Sequence, residues 1–303
     1  MLRAISPIVV VGGCRLIRER EAYDSIEVLD SNGARVACEM KEKRRGPAAM
    51  AMSSTELLIV GGCSDEDVHL RSIEKVDLAT KQSAILGEID YNFSCAAFCP
   101  LQDGRLFIAG GFDGLGPISD ACAVAADGTF EKLKNLPSDL KNSAAVEYNK
   151  KVYLFGGWDG RRTLTSIIVY DVEQREWEVR PGMEEPIECH SATLVGSGVF
   201  IVGGFDSLSV SKKIYRYDME ARKCEELPIL LTTGRENHFT VSTKSEDGTT
   251  LLLVIGGWNG REALNSIEAF KVLDSAPWLL KLPEDVVGSI ALPRNKPVAL
   301  TLH

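Results

Sequence analysis

Six times along the chain, four or five consecutive apolar residues run into a pair of glycines. The segments read IVVVGG, LLIVGG, LFIAGG, VYLFGG, VFIVGG and LVIGG, with first glycines Gly12, Gly61, Gly110, Gly156, Gly203 and Gly256. Consecutive pairs therefore lie 49, 49, 46, 47 and 53 residues apart. Runs of this length, rich in Val, Ile, Leu and Phe, are too short for a helix and fit a strand buried on both faces. The glycines, lacking Cβ, allow a sharp turn and close approach of neighbouring backbone. After most pairs comes a segment of alternating character: SIEVLD at 25–30, SIEKVD at 72–77, SIIVYD at 166–171, KIYRYD at 213–218 and SIEAFK at 266–271. Alternation over this length predicts a half-buried strand. Turn residues such as Asp30-Ser31-Asn32-Gly33 and Asp127-Gly128 follow. A further strand is predicted at Trp177–Val179 and at Lys223–Leu227, and another, such as Ser191–Val195, before the next glycine pair.

Four short antiparallel strands every 50 residues or so form the unit of a β-propeller blade. The pattern predicts an all-β, six-bladed propeller in a single domain. Its blades would span 46–90, 91–138, 139–185, 186–234 and 235–285, with the first blade made of 1–45 plus 286–294. The chain opens on a second-strand sequence, so blade one needs an inner strand from elsewhere. Gly288–Leu292 follows Trp278 much as His190–Leu194 follows Trp177. That match predicts a ring closed by the C-terminal segment 286–294 lying inside blade one.

The segment GGWDGRRTLTSIIVYDVEQREWEVRPGM at 156–183 resembles a kelch repeat: double glycine, Asp-Gly turn, Ser before the third strand, Tyr-Asp, then a spaced Trp and a Met. The resemblance extends over all six repeats. The spaced Trp is present as Trp177 and Trp278, Phe130 stands in for it in the third repeat, and the first two repeats have no aromatic there. The resemblance implies a protein-interaction module that binds a peptide or loop of a partner on the face carrying the post-glycine and inter-blade loops. Substrate selection for a ubiquitin ligase and actin binding are roles it implies. Six blades leave no room in 303 residues for a BTB, BACK or F-box domain.

Composition narrows the classes further. With 34 basic and 43 acidic residues the net charge is −9, which gives no general pull toward nucleic acid or an anionic membrane. No apolar run approaches the ~18 residues of a membrane span. Ile8–Val11 stops at Gly12-Gly13 and reads as a strand, not as a leader. The eight cysteines are scattered without a CxxC pair, which predicts reduced thiols, a cytoplasmic location and no structural metal. No cofactor is expected.

The candidate partner-binding residues come from one face. Those after the glycine pairs are Cys14, Cys63, Phe112, Trp158, Phe205 and Trp258. The four aromatics would form an apolar anchor site around the channel mouth. Arg15, Arg18, Arg44 and Arg45, with Lys41 and Lys43, form a basic sector; Arg161, Arg162, Arg235 and Arg261 decorate later blades. Arginine forks suit carboxylates, so the expected partner carries an acidic segment. By the resemblance, Arg45 and Arg235 occupy positions where related propellers contact acidic peptides. Asn142, His190, Asn237 and His238 enter the first strands of blades four to six and complete the set. Acidic loops (Asp65–Asp67, Glu184, Glu185, Glu188, Glu284 and Asp285) share the face. The alternative is a propeller enzyme acting on a small molecule with a metal, for which His190, His238, Cys189, Glu188 and Glu236 are the nearest candidates. The chain has no GxSxG, GxxxxGK[ST] or HExxH.

Overall fold

The computed structural model describes residues 5–16, 21–283 and 288–302. These form six four-stranded antiparallel sheets, and no helix occurs among the described residues. From the inner strand outward, blade two is Ala48–Ala51, Glu56–Val60, Ser72–Asp77 and Gln82–Glu88. Blade three is Ala97–Pro100, Leu106–Ala109, Ala121–Val124 and Phe130–Lys132. Blade four is Ala144–Tyr148, Lys151–Phe155, Ile167–Asp171 and Glu176–Arg180. Blade five is Ser191–Val195, Gly198–Val202, Ile214–Asp218 and Lys223–Glu226. Blade six is Phe239–Lys244, Thr250–Ile255, Ile267–Val272 and Leu279–Lys281. In blade one, Ile8–Val11, Ser25–Asp30 and Gly33–Glu39 take their inner strand from Val298–Thr301. Each inner strand touches the inner strands of both neighbouring blades, so the ring is closed.

The ring closes through a C-terminal strand in blade one, as the repeat pattern predicts, but at a different segment. The register is Val11 opposite Val298 and Ile8 opposite Thr301. Within 286–294, Val286 and Val287 lie outside the described residues, and the described part belongs to the link from blade six to blade one. Ser289 bridges Ser266 of blade six, Ile290 is buried between the two blades, and the N–H groups of Ala291 and Leu292 donate to Glu27. The misplacement has a plain cause: this link is longer than the others, so matching by distance from the Trp falls short of the strand.

Why the apolar runs are unbroken is visible in the core, which divides into six clusters, one at each interface between adjacent blades. Successive side chains of a strand point to opposite faces. Ile8 and Val10 accordingly pack toward blade six, and Val9 and Val11 toward blade two. All four are fully buried. The outer strands are mostly exposed. Trp177 on one of them packs on Tyr170 and Phe107, and its Nε1 donates to the Lys134 carbonyl at 2.8 Å, tying blade four to blade three.

Candidate binding face

The links between blades repeat a four-residue theme: Arg44-Arg45-Gly46-Pro47, Phe93-Ser94-Cys95-Ala96, Leu140-Lys141-Asn142-Ser143, Ile187-Glu188-Cys189-His190, Arg235-Glu236-Asn237-His238 and Arg294-Asn295-Lys296-Pro297. Each position has one task in all six.

The first position fastens neighbouring blades. Its carbonyl accepts the N–H of the second glycine of the preceding pair, as in Gly13 to Arg44 (2.8 Å) and Gly111 to Leu140 (2.7 Å). The first glycine passes so close that a Cβ on Gly110 would lie 2.2 Å from the Leu140 oxygen. In three links the fastening residue is an arginine whose side chain reaches into the following blade. Arg44 bonds Glu74 at 3.0 Å and the Gly61 carbonyl at 2.7 Å; Arg235 bonds Glu268 at 2.8 Å and the Gly256 carbonyl at 3.0 Å; Arg294 bonds Glu27 at 2.7 Å and the Gly12 carbonyl. All three arginines are fully buried. Burial works to raise the Glu268 pKa, but Lys281, backbone N–H groups and Arg235 overcome it and hold the carboxyl below its ordinary value. Arg44 and Arg235 thus have no surface for a partner, contrary to the expectation from sequence. Arg235 is the counterpart of Arg44, not of Arg45.

The second position forms the rim of the mouth. It pairs in both directions with the residue after the next glycine pair: Ser94 with Phe112, Lys141 with Trp158, Glu188 with Phe205, and Glu236 with Trp258. The four aromatics are therefore brought to equivalent, half-buried places. Lys141 Nζ lies over both Phe112 (4.5 Å) and Trp158 (4.8 Å). Arg45 is largely buried, donating to the Ser64 carbonyl at 2.8 Å and pairing with Asp67. The rim is polarised, with Arg45 and Lys141 on one side and Glu188 and Glu236 on the other.

The third position lines the channel itself. Gly46, Cys95, Asn142, Cys189, Asn237 and Lys296 all have φ between 50° and 60°. Their backbones form a closed circle: each N–H donates to the carbonyl of the equivalent residue in the preceding link, at 2.7–3.0 Å. Inside the circle lies a cavity of about 100 Å3, bounded also by His190 and His238 from the fourth position. Asn142 Nδ2 donates to Glu188 at 2.8 Å. His238 Nε2 meets Ser191 Oγ at 2.9 Å, and the ring is kept neutral because burial and Arg235 pull its pKa well down. Among the described residues, no three His, Cys, Asp or Glu side chains converge as a metal site would need.

Beyond the rim stand the loop tips after the glycine pairs. In each of blades three to six a carboxylate or amide oxygen accepts two backbone N–H groups, making a tight turn: Asp113 holds Leu115 and Gly116, Asp159 holds Arg161 and Arg162, Asp206 holds Leu208 and Ser209, and Asn259 holds Arg261 and Glu262. Leu115 is 95% exposed and Leu208 is 91% exposed. Arg161 and Arg261, at the same turn position, form no ion pair among the described residues, and neither does Arg15. Arg18, Glu284 and Asp285 lie outside the described residues. Beside the mouth, Leu16, Glu236, Asn237, Trp258, Arg261 and Asn295 line a cleft of about 500 Å3 between blades six and one.

Sequence reasoning found the aromatics and the exposed arginines. It missed Arg294, Lys296, Cys95, Lys141 and the two leucine tips. Aligning the six links would have exposed Arg294, since Arg at the fastening position always accompanies Ser-Ile-Glu in the next blade, and would have put Lys141, Cys95 and Lys296 at equivalent places.

Residues 129–294, more than half of the chain, match the family model described as the KLHDC2/KLHL20/DRC7 Kelch-repeats domain. Compared with curated proteins, the chain shows no match.

Proposed function

Since the chain belongs to the Kelch-repeats family of the KLHDC2/KLHL20/DRC7 type, we propose that it binds a peptide or loop of a partner protein on the face carrying the channel mouth, and that the bound segment combines acidic and apolar residues. The observation that carries this reading is the alternation of the rigid tips around the face: Leu115, Arg161, Leu208, Arg261. Two nearly bare leucines on turns anchored by side-chain hydrogen bonds present apolar contact area at little entropic cost on binding. Between them, the exposed guanidinium groups of Arg161 and Arg261, which form no ion pair among the described residues, can take carboxylates in bidentate fashion. Trp258 and Arg261 on the flanking cleft extend the surface toward Arg15 on blade one. The central cavity is too small for a peptide, so the segment would lie over the mouth.

The test is selection from a displayed peptide library on the folded propeller. Peptides with acidic and apolar residues should be enriched, with binding that weakens as salt is added. Arg161→Glu with Arg261→Glu should remove that preference, and Leu115→Asp with Leu208→Asp should weaken the survivors. Lys150→Glu and Glu220→Lys, on turns at the opposite end of the blades, should leave binding intact. Enrichment that survives the first two pairs and is lost on the opposite face would overturn the proposal.

A further inference from the structure

One side-chain contact cuts across the channel circle instead of following it. Lys296 Nζ lies 3.1 Å from Cys95 Sγ. The two residues are not neighbours in the circle: Gly46 stands between them, donating to the Lys296 carbonyl and accepting from Cys95 N–H. Gly46 supplies the gap. A Cβ there would lie 2.9 Å from Cys95 Sγ and 3.2 Å from Cys95 N. The glycine therefore leaves the lysine room to reach the thiol, and both side chains line the cavity at the mouth.

A second observation points to a small polar guest. The His190 ring lines the same cavity and is 6% exposed; it lies against the Phe155 carbonyl, but neither of its nitrogens makes a well-aligned hydrogen bond. Burial pulls its pKa down to about 3, so the ring is neutral and offers one donor and one acceptor. A buried polar group of this kind is ordinarily satisfied by water or a ligand of similar size.

We propose that Cys95 is a modification site for hydrogen peroxide, its thiolate held against the Lys296 ammonium and oxidised to sulfenic acid by peroxide entering the channel mouth. Cys95 Sγ attacks one peroxide oxygen and the O–O bond breaks. Sulfur gives up two electrons and the peroxide takes them. Lys296 passes a proton to the departing hydroxide, so the products are Cys95 sulfenic acid, water and a neutral lysine that regains its proton from solvent. Reactivity toward peroxide follows thiolate character and access.

The surroundings single out this thiol. Burial alone would raise the Cys95 pKa, but Lys296, then a hydrogen bond with Ser94 and, more weakly, Lys141 overcome it and hold it below the ordinary value. Burial pushes the other seven thiols up, Cys14, Cys63 and Cys224 to about 11 and Cys122 to about 12. Cys189 faces the same cavity but is raised by burial and by Glu188 and Glu236. Cys14, Cys63, Cys189, Lys141 and Lys296 interact electrostatically with Cys95, and the neutral rings of His190 and His238 line the same cavity.

The test treats the folded protein with substoichiometric hydrogen peroxide in the presence of dimedone, which traps sulfenic acids, and maps the adduct by peptide mass spectrometry. Cys95 should be labelled first, about tenfold or more ahead of any other cysteine, since reactivity follows thiolate character and access. Lys296→Met should slow the labelling, and Cys95→Ser should abolish it. Adducts spread evenly, a different cysteine leading, or an unchanged rate in the lysine variant would overturn the proposal. Should that variant fail to fold, alkylation of wild-type Cys95 by iodoacetamide across pH decides. A midpoint below the ordinary thiol value of about 8.5 supports it, and a midpoint at or above that value refutes it.

Discussion

Phe98 and Phe239 stack across the propeller channel, their ring centroids 5.8 Å apart and their planes 20° from parallel. They come from the inner strands of blades three and six, which stand opposite each other in the ring. Both rings bound the small cavity at the mouth and a second chamber of about 390 Å3 enclosed by all six inner strands. The pair therefore divides the channel and couples opposite blades directly, bypassing the chain of blade-to-blade interfaces.

A double-mutant cycle on this pair should report that coupling. Phe98→Leu, Phe239→Leu and the double variant, compared by urea unfolding, are expected to show an interaction of about 0.5–1.5 kcal/mol beyond the sum of the single effects, as for other aromatic pairs. Strict additivity would mean that the rings are neighbours without mutual stabilisation.

The closing strand makes a contrast between two alanines. Ala299 is 1% exposed in the inner strand of blade one, whereas Ala291 is exposed in the preceding link. Ala299→Asp buries an unpaired charge and frees the Ile8–Val11 edge, so thermal unfolding should shift down by about five degrees or more, on the order of 3 kcal/mol. Ala291→Asp should be close to neutral, since only its backbone N–H is engaged. The opposite ranking would return the closing role to the earlier segment.

What could be read without coordinates followed the local chemistry. The blades were legible because each second strand is buried on both faces and each ends at glycines that must pass a carbonyl. The placing of Phe112, Trp158, Phe205 and Trp258 followed from the same period. The closing strand was misread because Gly288–Leu292 imitates the composition of an inner strand, and only hydrogen-bond register distinguishes it from Val298–Thr301. Arg44 and Arg235 were misread because arginine is usually a surface residue; their burial depends on Glu74 and Glu268, 30 and 33 positions further on. Contact between Lys296 and Cys95, 201 positions apart and passing over a glycine, had no local signal at all.

His190 should make stability fall on mild acidification. Burial lowers its pKa from the ordinary 6.5 to about 3 in the folded protein, so between these values the unfolded chain holds a proton that the folded chain does not. Stability is then unaffected above pH ~6.5 and declines by about 1.4 kcal/mol for each unit below it until about pH 3, where the folded ring is protonated too. Moving from about pH 7 to about pH 5 should therefore cost the wild type about 2 kcal/mol more than His190→Gln, measured by urea unfolding at both values. Parallel losses in the two proteins would show that the proton is taken up elsewhere, with His238 the next candidate.

The buried arginine–glutamate pairs lead to the sharpest expectation, because the same fold contains its own apolar controls. Blades one, two and six use Arg294 with Glu27, Arg44 with Glu74, and Arg235 with Glu268. The corresponding places on blade four are Leu140 and Ile168, both buried and packed together in one cluster. Removing one ion of a buried pair strands the other and costs about 3–5 kcal/mol, whereas replacing both by well-packed apolar residues is often neutral or better. Arg44→Leu alone and Glu74→Ile alone should each lower the urea midpoint sharply. Arg44→Leu with Glu74→Ile should recover most of the loss, although Lys41 N–H, Ser72 and Ser83, which bond these two side chains, will retain part of it. A double variant as unstable as the sum of its parts would show that the ion pair is required by this interface, and that blades one, two and six cannot adopt the packing of blade four.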